Sequence, residues 1–293
     1  MFIATLIASE RLDGGDISAA EDALRAAGLT PMGRSWVERD IACDILFAGG
    51  PDAGRIALEG LVPGVDVIVQ GEAGRRRRLL VADMDSTMIS VECIDELADY
   101  AGLKSEVAAV TERAMRGELD FAEALRARVA LLEGLEEGVI DRCREERVRI
   151  TPGARELVRT MREKGAYCLL VSGGFTAFAD PVGAAIGFDA VLANRLDVGG
   201  GKLAGTVSEP IVDAGAKRLA LLDSAARHDL ELADTLAVGD GANDIAMIEV
   251  AGLGIAYHAK PALIVAAAAR VDHCDLTALL YAQGYGRSEW VAL

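Results

Sequence analysis

Several features that mark particular classes of protein are scarce or missing in this sequence of 293 residues. Its five cysteines are scattered and form no C-x-x-C pair, which argues against a disulfide framework or a zinc site and favours reduced thiols. Its three histidines lie too far apart in the sequence to suggest a histidine metal site. Neither G-x-x-x-x-G-K-[ST] nor G-x-S-x-G occurs, so a phosphate loop of that type and a serine-hydrolase elbow are both excluded.

Positively charged residues and long uninterrupted apolar runs are also scarce. Lys and Arg number 30 against 46 Asp and Glu, for a formal net charge of −16, and such an acidic surface repels nucleic-acid phosphates. No apolar stretch of about 18 residues is free of charges, so we expect no transmembrane helix and no membrane partner. The N-terminal stretch MFIATLIASE has no basic residue before its apolar run, so we expect no signal peptide and a cytoplasmic protein.

The most informative stretch that is present is RLLVADMDST at residues 78–87. Residues 79–82 form an unbroken apolar run, as expected for a strand buried on both faces of a parallel sheet. Two carboxylates follow at once, Asp83 and Asp85. Ligands of open α/β sheets bind just beyond the carboxyl ends of the strands, so the sequence predicts an active site here.

Two later strand ends also carry polar residues. Strands alternate with helices from residue 151 onward, which predicts a doubly wound parallel sheet in an α/β fold. The residues that follow these two strands are Ser172 and Gly173 after the first, and Asp240, Asn243 and Asp244 after the second. In a parallel sheet these ends share one edge, so acidic oxygens would cluster there and suit a hard cation such as Mg²⁺.

Together these residues have the composition of a phosphoryl-transfer site. Asp83 would be a carboxylate nucleophile, and Lys217, at the start of a helix, would add positive charge beside the metal. Asp85 could protonate the leaving oxygen and then deprotonate water. Each piece alone is weak, because most D-x-D pairs are turns and most single lysines lie on the surface. The combination in this order is much more specific.

The chain divides into two predicted domains, and 52% hydrophobic residues suffice for both cores. Residues 1–73 have the order β-α-β-β-α-β of a ferredoxin-like α+β unit. Residues 74–293 form the second domain, with a helical insertion at about 95–150. The stretch GEAGRRRR at 71–78 reads as a linker, whose arginines are either an anion patch or, as we favour, solvated.

One helix of the insertion carries an unusual arginine. Asp120 is expected to cap its N-terminus, with Glu123 reaching back to complete the cap. The apolar stripe of that helix consists of Phe121, Leu125 and Leu132. Arg128 falls on the same stripe, so it either extends its charged end to solvent or holds a buried anion.

These motifs resemble those of the haloacid dehalogenase (HAD) superfamily. Asp83-Met84-Asp85-Ser86-Thr87 matches its D-x-D-x-[TV] motif, and Ser172, Lys217 and the stretch 239–244 match the other three. The resemblance implies a Rossmann-like sheet with a helical cap. The stretches VECIDELA, RGELDFAEALRARVALL, VSGGFTAF and VGDGANDIAMI are similar to the phosphoserine phosphatases, and residues 1–73 resemble an ACT-like extension.

The resemblance implies a role for each matching residue. Asp83 would be the nucleophile and Asp85 the general acid and base, with Mg²⁺ on Asp83, the backbone carbonyl of Asp85, and Asp240. The phosphoryl group would be held by Ser172, the Gly173 amide and Lys217. The remaining implied roles are Glu92 for an ammonium group, Arg128 for a carboxylate, Asn243 for substrate or water, Asp244 for supporting Lys217, and Met115 and Phe121 for the lid wall. Ala124 stands where the family usually has serine.

The activity implied is Mg²⁺-dependent hydrolysis of O-phospho-L-serine to L-serine in serine biosynthesis. Three alternatives stay open at this point: a phosphotransferase acting on an acceptor such as homoserine, a phosphatase for another small phosphomonoester, and an inert scaffold or amino-acid sensor. The expected partner is a small-molecule substrate, and a homodimer is compatible with the sequence.

Overall fold

The N-terminal part of the chain is a four-stranded antiparallel sheet with two helices. The computed structural model describes residues 1–116 and 118–292, apart from the side chain of Met115. The elements are β1 (Phe2–Ala8), α1 (Gly14–Ala26), β2 (Thr30–Glu38), β3 (Ala42–Ala48), α2 (Pro51–Leu58) and β4 (Val65–Gly71). The strands lie in the order β2-β3-β1-β4. The predicted β-α-β-β-α-β order includes a strand here, but no pattern located its residues, because this edge strand contains proline and glycine and is mostly exposed.

The two faces of this sheet have different neighbours, because side chains alternate along a strand. One face packs against α1 and α2 in a small core that includes Leu6, Ile45 and Phe47. On the opposite face, Ile7 and Ile68 belong to the main core of the molecule. The N-terminal sheet is therefore covered on both sides.

The second sheet is parallel, as predicted. Its strands are β5 (Leu79–Ala82), β6 (Tyr167–Phe175), β7 (Ala190–Asn194), β10 (Thr235–Gly239), β11 (Leu253–Tyr257) and β12 (Ala269–Val271), and a separate hairpin pairs β8 (Leu196–Gly199) with β9 (Lys202–Val207). The order is β12-β11-β10-β5-β6-β7, with parallel pairing at each of these neighbouring pairs. β5 lies in the interior of the sheet and is fully buried, as its apolar run predicted.

Helices cover both faces of this sheet. They are α7 (Ala154–Glu163), α8 (Thr176–Ile186), α9 (Ala214–Arg227), α10 (Ile245–Ile248), α11 (Pro261–Ala266) and α12 (Ala278–Ala282). Leu80 and Ala82 of β5 face the core that contains α7 and α8, whereas Leu79 and Val81 face the core that contains α9 and α10. The apolar pattern of residues 245–251 predicts a longer helix than α10, which ends at Ile248.

Four helices between β5 and α7 form the predicted helical insertion: α3 (Cys93–Tyr100), α4 (Lys104–Met115), α5 (Phe121–Ala130) and α6 (Gly138–Arg147). The predicted cap of α5 is confirmed. The Glu123 amide donates to the Asp120 carboxylate at 2.8 Å, and the Asp120 amide donates to the Glu123 carboxylate at 2.9 Å. This cap fixes the first turn of α5.

The linker prediction was partly wrong, because its arginines bind neighbouring parts of the chain. Arg75 lies 2.6 Å from a carboxylate oxygen of Asp44. Arg77 is buried and donates to Gln70 Oε1 and to the Ala233 carbonyl, both at 2.7 Å. These two side chains are neither solvated nor an open anion patch: Arg75 fixes the linker to β3, and Arg77 joins β4 to the segment before β10.

A buried aspartate makes the second connection between the sheets. Asp66 of β4 accepts hydrogen bonds from the amides of Asp272, His273 and Cys274, at distances from 2.8 to 3.3 Å. These amides follow β12, so the N-terminal sheet is fixed to the β12 edge of the parallel sheet. The contact lets a charged carboxylate be buried, because several donors satisfy it.

The state of the cysteines and the lengths of the helices complete the description of the fold. All five cysteines are buried and free. Among the residues that the structure describes, no helix is both long enough and apolar enough to cross a membrane.

Candidate active site

The carboxyl ends of two adjacent strands bring the predicted acidic residues together. The Asp83 amide, at the end of β5, donates to the Val238 carbonyl of β10 at 3.0 Å. Carboxylate oxygens of Asp83, Asp240 and Asp244 lie within 4.8 Å of one another, and all three residues are buried. Side chains more than 150 positions apart in the sequence thus form one cluster, because neighbouring parallel strands end at the same edge.

A buried lysine fixes two members of this cluster. Lys217 lies in the first turn of α9, and its Nζ is 2.6 Å from Asp83 Oδ1 and 2.7 Å from Asp244 Oδ1. The second oxygen of Asp244 accepts the amides of Asp240 and Gly241, at 3.2 and 3.1 Å. Lys217 is therefore not the surface lysine that its single occurrence would suggest, and Asp244 has both oxygens occupied.

For Lys217 and for Asp83, burial and the attraction between the two charges shift the pKa in opposite directions. Burial lowers the pKa of Lys217, but attraction to Asp83 and Asp244 and hydrogen bonds to both raise it above its ordinary value. Burial and the nearby Asp244 raise the pKa of Asp83, while Lys217 opposes that shift. The lysine is thus held protonated, and its ammonium group offsets part of the cost of an anionic carboxylate at this depth.

Asp85 occupies a different environment from Asp83. Its Oδ1 accepts the Cys93 amide at 3.1 Å, and its Oδ2 makes a long 3.5 Å contact with Ser172 Oγ. Burial and then the nearby Glu92 carboxylate raise the pKa of Asp85 to about 7. A carboxyl group with such a pKa can give and take a proton near neutral pH.

Two glycines allow the close approach of these carboxylates. A Cβ at Gly174 would lie 2.7 Å from Asp85 Oδ2, and a Cβ at Gly239 would collide with the Asp244 carboxylate. The Gly174 amide also donates to Ser172 Oγ at 2.8 Å. Side chains at either glycine would displace the acidic groups, so the glycines maintain the geometry of the site.

A cavity of about 320 Å³ opens over the acidic cluster. Eight predicted residues line it: Asp83, Asp85, Glu92, Phe121, Arg128, Gly173, Asp240 and Asn243. Ser172, Lys217 and Asp244 lie buried behind its wall. The predicted side chain of Met115 lies outside the described residues. The structure thus brings together the predicted residues from the sheet and from the helical insertion.

The side of the cavity formed by the insertion carries both signs of charge. Glu92 Oε1 accepts a hydrogen bond from Ser86 Oγ at 2.8 Å. Arg128 is half-buried, and its Nε donates to the Ala124 carbonyl at 3.3 Å. Among the described residues, no carboxylate forms a salt bridge with Arg128. Because this guanidinium lines the cavity without such a partner, the anion-binding alternative for Arg128 fits better than extension to solvent.

Lys260 lines the same cavity and was not predicted. It follows β11, and its Nζ lies 3.2 Å from Asp240 Oδ2. The sequence predicts a short strand at residues 254–257, and residues beyond such strand ends form the site, so the position of Lys260 could have been recognised from the sequence. Thr111 and Ile94 also line the cavity, but they are uncharged helical residues that no spacing rule singles out.

Comparisons with known proteins agree with this geometry. A phosphoserine phosphatase of Mycobacterium tuberculosis is 48% identical over 227 residues, which are 77% of this chain and 55% of that protein. A phosphoserine phosphatase of Albidiferax ferrireducens is 44% identical over 229 residues, 75% of this chain and 96% of that protein. The match spans 55% to 64% of the length of four of the curated relatives.

Solved structures extend the similarity to nearly the whole chain. The crystal structure of a probable phosphoserine phosphatase from Vibrio cholerae, in unliganded form, superposes with a TM-score of 0.79 at 33% identity, over 98% of this chain and 87% of that one. The family model described as haloacid dehalogenase-like hydrolase matches residues 80–249, which is more than half of the chain. The chain therefore belongs to the haloacid dehalogenase-like hydrolases.

Proposed function

We propose that this protein is a phosphatase that hydrolyses O-phospho-L-serine to L-serine and inorganic phosphate, as a step of L-serine biosynthesis. The observation that carries the proposal is one cavity with phosphoryl-transfer residues on one side and two opposite charges on the other. Asp83 and Asp85 form the first side, and Glu92 and Arg128 form the second. Phosphoserine has the matching groups: a phosphate, an ammonium and a carboxylate. Several relatives named phosphoserine phosphatase support the same substrate.

The acidic cluster fits Mg²⁺ as the cofactor. Its donors are carboxylate oxygens, which hard cations prefer, and Mg²⁺ typically takes one or two carboxylates together with phosphate oxygens and water. Both oxygens of Asp244 are already occupied, so Asp83 and Asp240 are the side chains that would hold the ion, together with the backbone carbonyl of Asp85. When bound, the ion would neutralise charge on the phosphoryl oxygens.

The residues of this chain perform two successive transfers of the phosphoryl group. In the first, a carboxylate oxygen of Asp83 forms a bond to phosphorus while the bond to the serine oxygen breaks, and Asp85 gives its proton to that oxygen. In the second, Asp85 takes a proton from water, whose oxygen displaces the Asp83 carboxylate and releases phosphate. Lys217 stays protonated throughout and offsets the negative charge.

The remaining residues hold the substrate. Ser172 and the Gly173 amide donate to phosphoryl oxygens, while Asn243 contacts the substrate or the attacking water. Glu92 pairs with the substrate ammonium, and Arg128 pairs with its carboxylate. Phe121, whose ring lies 3.0 Å from the position that a Cβ of Gly173 would take, closes the cavity against water, and Met115 is expected to extend this wall.

The two parts of the chain are proposed to be separate domains. Residues 1–73 would form an ACT-like domain, and residues 74–293 the phosphatase domain, with its helical cap at about 95–150. The N-terminal strands and helices have their own small core, which supports that boundary. The five free, buried cysteines suit a reducing compartment such as the cytoplasm.

Steady-state kinetics with matched substrates test this function. In the presence of Mg²⁺ we expect the highest kcat/KM for O-phospho-L-serine and a lower value for O-phosphoethanolamine, which lacks only the carboxylate. Arg128→Ala should raise KM for phosphoserine about 10- to 100-fold, the loss of a charged hydrogen bond, and change KM for phosphoethanolamine much less. Equal increases for both substrates would contradict the substrate assignment.

A variant of the nucleophile is the control for the chemistry. Asp83→Asn should lower kcat by at least about 10⁴-fold with every substrate, because the covalent step is lost. Its thermal unfolding, followed by circular dichroism, should show that the variant folds. Phosphate release near the wild-type rate would exclude the mechanism. Adding homoserine and analysing the products would reveal transfer of phosphate to an alcohol other than water.

A further inference from the structure

Lys260 is anchored to one residue of the acidic cluster through both its backbone and its side chain. Its amide donates to the Asp240 carbonyl at 2.9 Å, and its Nζ lies 3.2 Å from Asp240 Oδ2. The residue precedes Pro261, the first residue of α11, so its backbone is fixed at the start of a helix. A lysine held in this way keeps its ammonium group at the edge of the cavity.

The ammonium group of Lys260 differs in its position from that of Lys217. Lys217 contacts Asp83 and Asp244 from behind the wall. Lys260 instead lines the cavity itself, beside Asp240. Asp240 is one of the two side chains proposed to hold the divalent ion, so Lys260 lies next to the place where both the cation and the phosphate would bind.

We propose that Lys260 sets the balance between divalent-cation affinity and phosphate affinity at this site; the proposal rests on the proposed phosphatase function. Its ammonium binds one oxygen of Asp240 and leaves the other for the ion. The positive charge repels a divalent cation and attracts the phosphoryl group, so one side chain weakens the first interaction and strengthens the second. Lys260 is thus a positioning residue for Asp240 and an electrostatic contact for the phosphate.

A purely structural ion pair would behave differently. An exposed lysine–carboxylate pair contributes little to stability, and its loss has no reason to change two ligand affinities in opposite directions. The chain offers a matched control in Lys202, which is paired with Glu136 at the same 3.2 Å distance. Its side chain is 54% exposed, against 61% for Lys260, and Lys202 does not line the cavity.

Isothermal titration calorimetry on the full chain tests the proposal with two probes, Mg²⁺ alone and inorganic phosphate at saturating Mg²⁺. In Lys260→Gln we expect the Kd for Mg²⁺ to fall about 3- to 10-fold and the Kd for phosphate to rise about 3- to 10-fold, as removal of one nearby charge predicts. Lys260→Arg, which keeps the charge, should restore both values, and Lys202→Gln should match the wild type.

The outcomes separate this proposal from the function on which it rests. If either affinity in Lys260→Gln stays at the wild-type value, or if both weaken together, the proposal is overturned while wild-type hydrolysis of phosphoserine stands. If the wild-type protein neither binds Mg²⁺ nor releases phosphate, the proposed function itself fails.

Discussion

At the scale of single residues, two carboxylates separated by one position have different environments. Asp83 is in direct contact with the ammonium group of Lys217. Among the described residues, Asp85 has a backbone amide and a distant hydroxyl as its hydrogen-bond partners, and burial raises its pKa to about 7. Burial also raises the pKa of Asp83, but the ammonium group of Lys217 opposes that shift. The contact with Lys217 thus favours the anionic form of the first carboxyl, while the second can exchange a proton near neutral pH.

The proton-transfer role proposed for Asp85 predicts a pH dependence. Since its pKa is raised, the protonated form needed to release serine persists up to about pH 7 and is lost above it. Single-turnover release of L-serine should therefore decrease as pH rises through 7. Asp85→Asn should lower this rate about 10²- to 10⁴-fold and leave a flat profile. The loss should be smaller for p-nitrophenyl phosphate, whose leaving group needs no proton; an unchanged profile in the variant would contradict the assignment.

Strand-end reasoning located most of this site from the sequence. It identified Asp83, Asp85 and Asp240 because they stand at or just beyond the ends of apolar runs, and the structure brings Asp83 and Asp240 into one cluster. It missed Lys260, although that residue follows another such run. Sequence patterns could not predict the distances between these groups or their pKa values, because both depend on which charges become buried together.

At the scale of elements, helix α5 supplies most of the residues with which the helical insertion lines the cavity. Phe121, Leu125 and Arg128 line the cavity from positions i, i+4 and i+7 of this helix, so they share one face. The cap formed by Asp120 and Glu123 starts the helix immediately before Phe121. The position of Arg128 therefore depends on whether the first turn of α5 is formed.

Removing this cap should affect both stability and substrate binding. Asp120→Ala should destabilise the protein by about 1 kcal/mol, because an amide of the first turn loses its acceptor, and should raise KM for phosphoserine. Asp13→Ala is the control, since Asp13 forms the same kind of cap on α1 of the N-terminal sheet. We expect a similar loss of thermal stability in that variant without a change in KM. A rise in KM in both variants would indicate a global effect.

The types of the secondary-structure elements were easier to predict than their boundaries. The sequence predicts a helix over residues 214–228 with Asp213 as its cap, and α9 begins there, with the Asp213 side chain accepting the Ala216 amide at 2.8 Å. The residues of β2 were not located, because they are mostly exposed and show no alternation. Such an edge strand is specified by pairing with β3, and single-sequence patterns do not record pairing.

At the scale of the whole molecule, buried polar contacts hold the two sheets together. Asp66 accepts three amides that follow β12, and Gln70 donates to the Ala282 carbonyl at 2.7 Å. Sequence could not predict these contacts, because each partner lies more than 200 residues away and Asp66 sits in an ordinary strand pattern. The linker arginines were misjudged because the composition of the linker does not indicate their partners, which include Asp44 and the Ala233 carbonyl.

Loss of the Asp66 carboxylate should loosen this connection. Asp66→Ala leaves buried amides without an acceptor and should lower stability by about 1–3 kcal/mol. Asp66→Asn keeps one acceptor oxygen and should cost less. Limited proteolysis should cleave residues 71–78 faster in Asp66→Ala than in the wild type. Equal cleavage rates would show that other contacts suffice to hold the N-terminal sheet in place.

The distance in sequence between Asp66 and its amide partners also has a consequence for biosynthesis. The first partner, Asp272, is synthesised 206 residues after the carboxylate. The N-terminal strands therefore leave the ribosome long before the residues that cover their second face have been synthesised. Throughout most of translation, Ile7 and Ile68 on that face stay exposed to water or to chaperones, so this nascent sheet needs protection from aggregation.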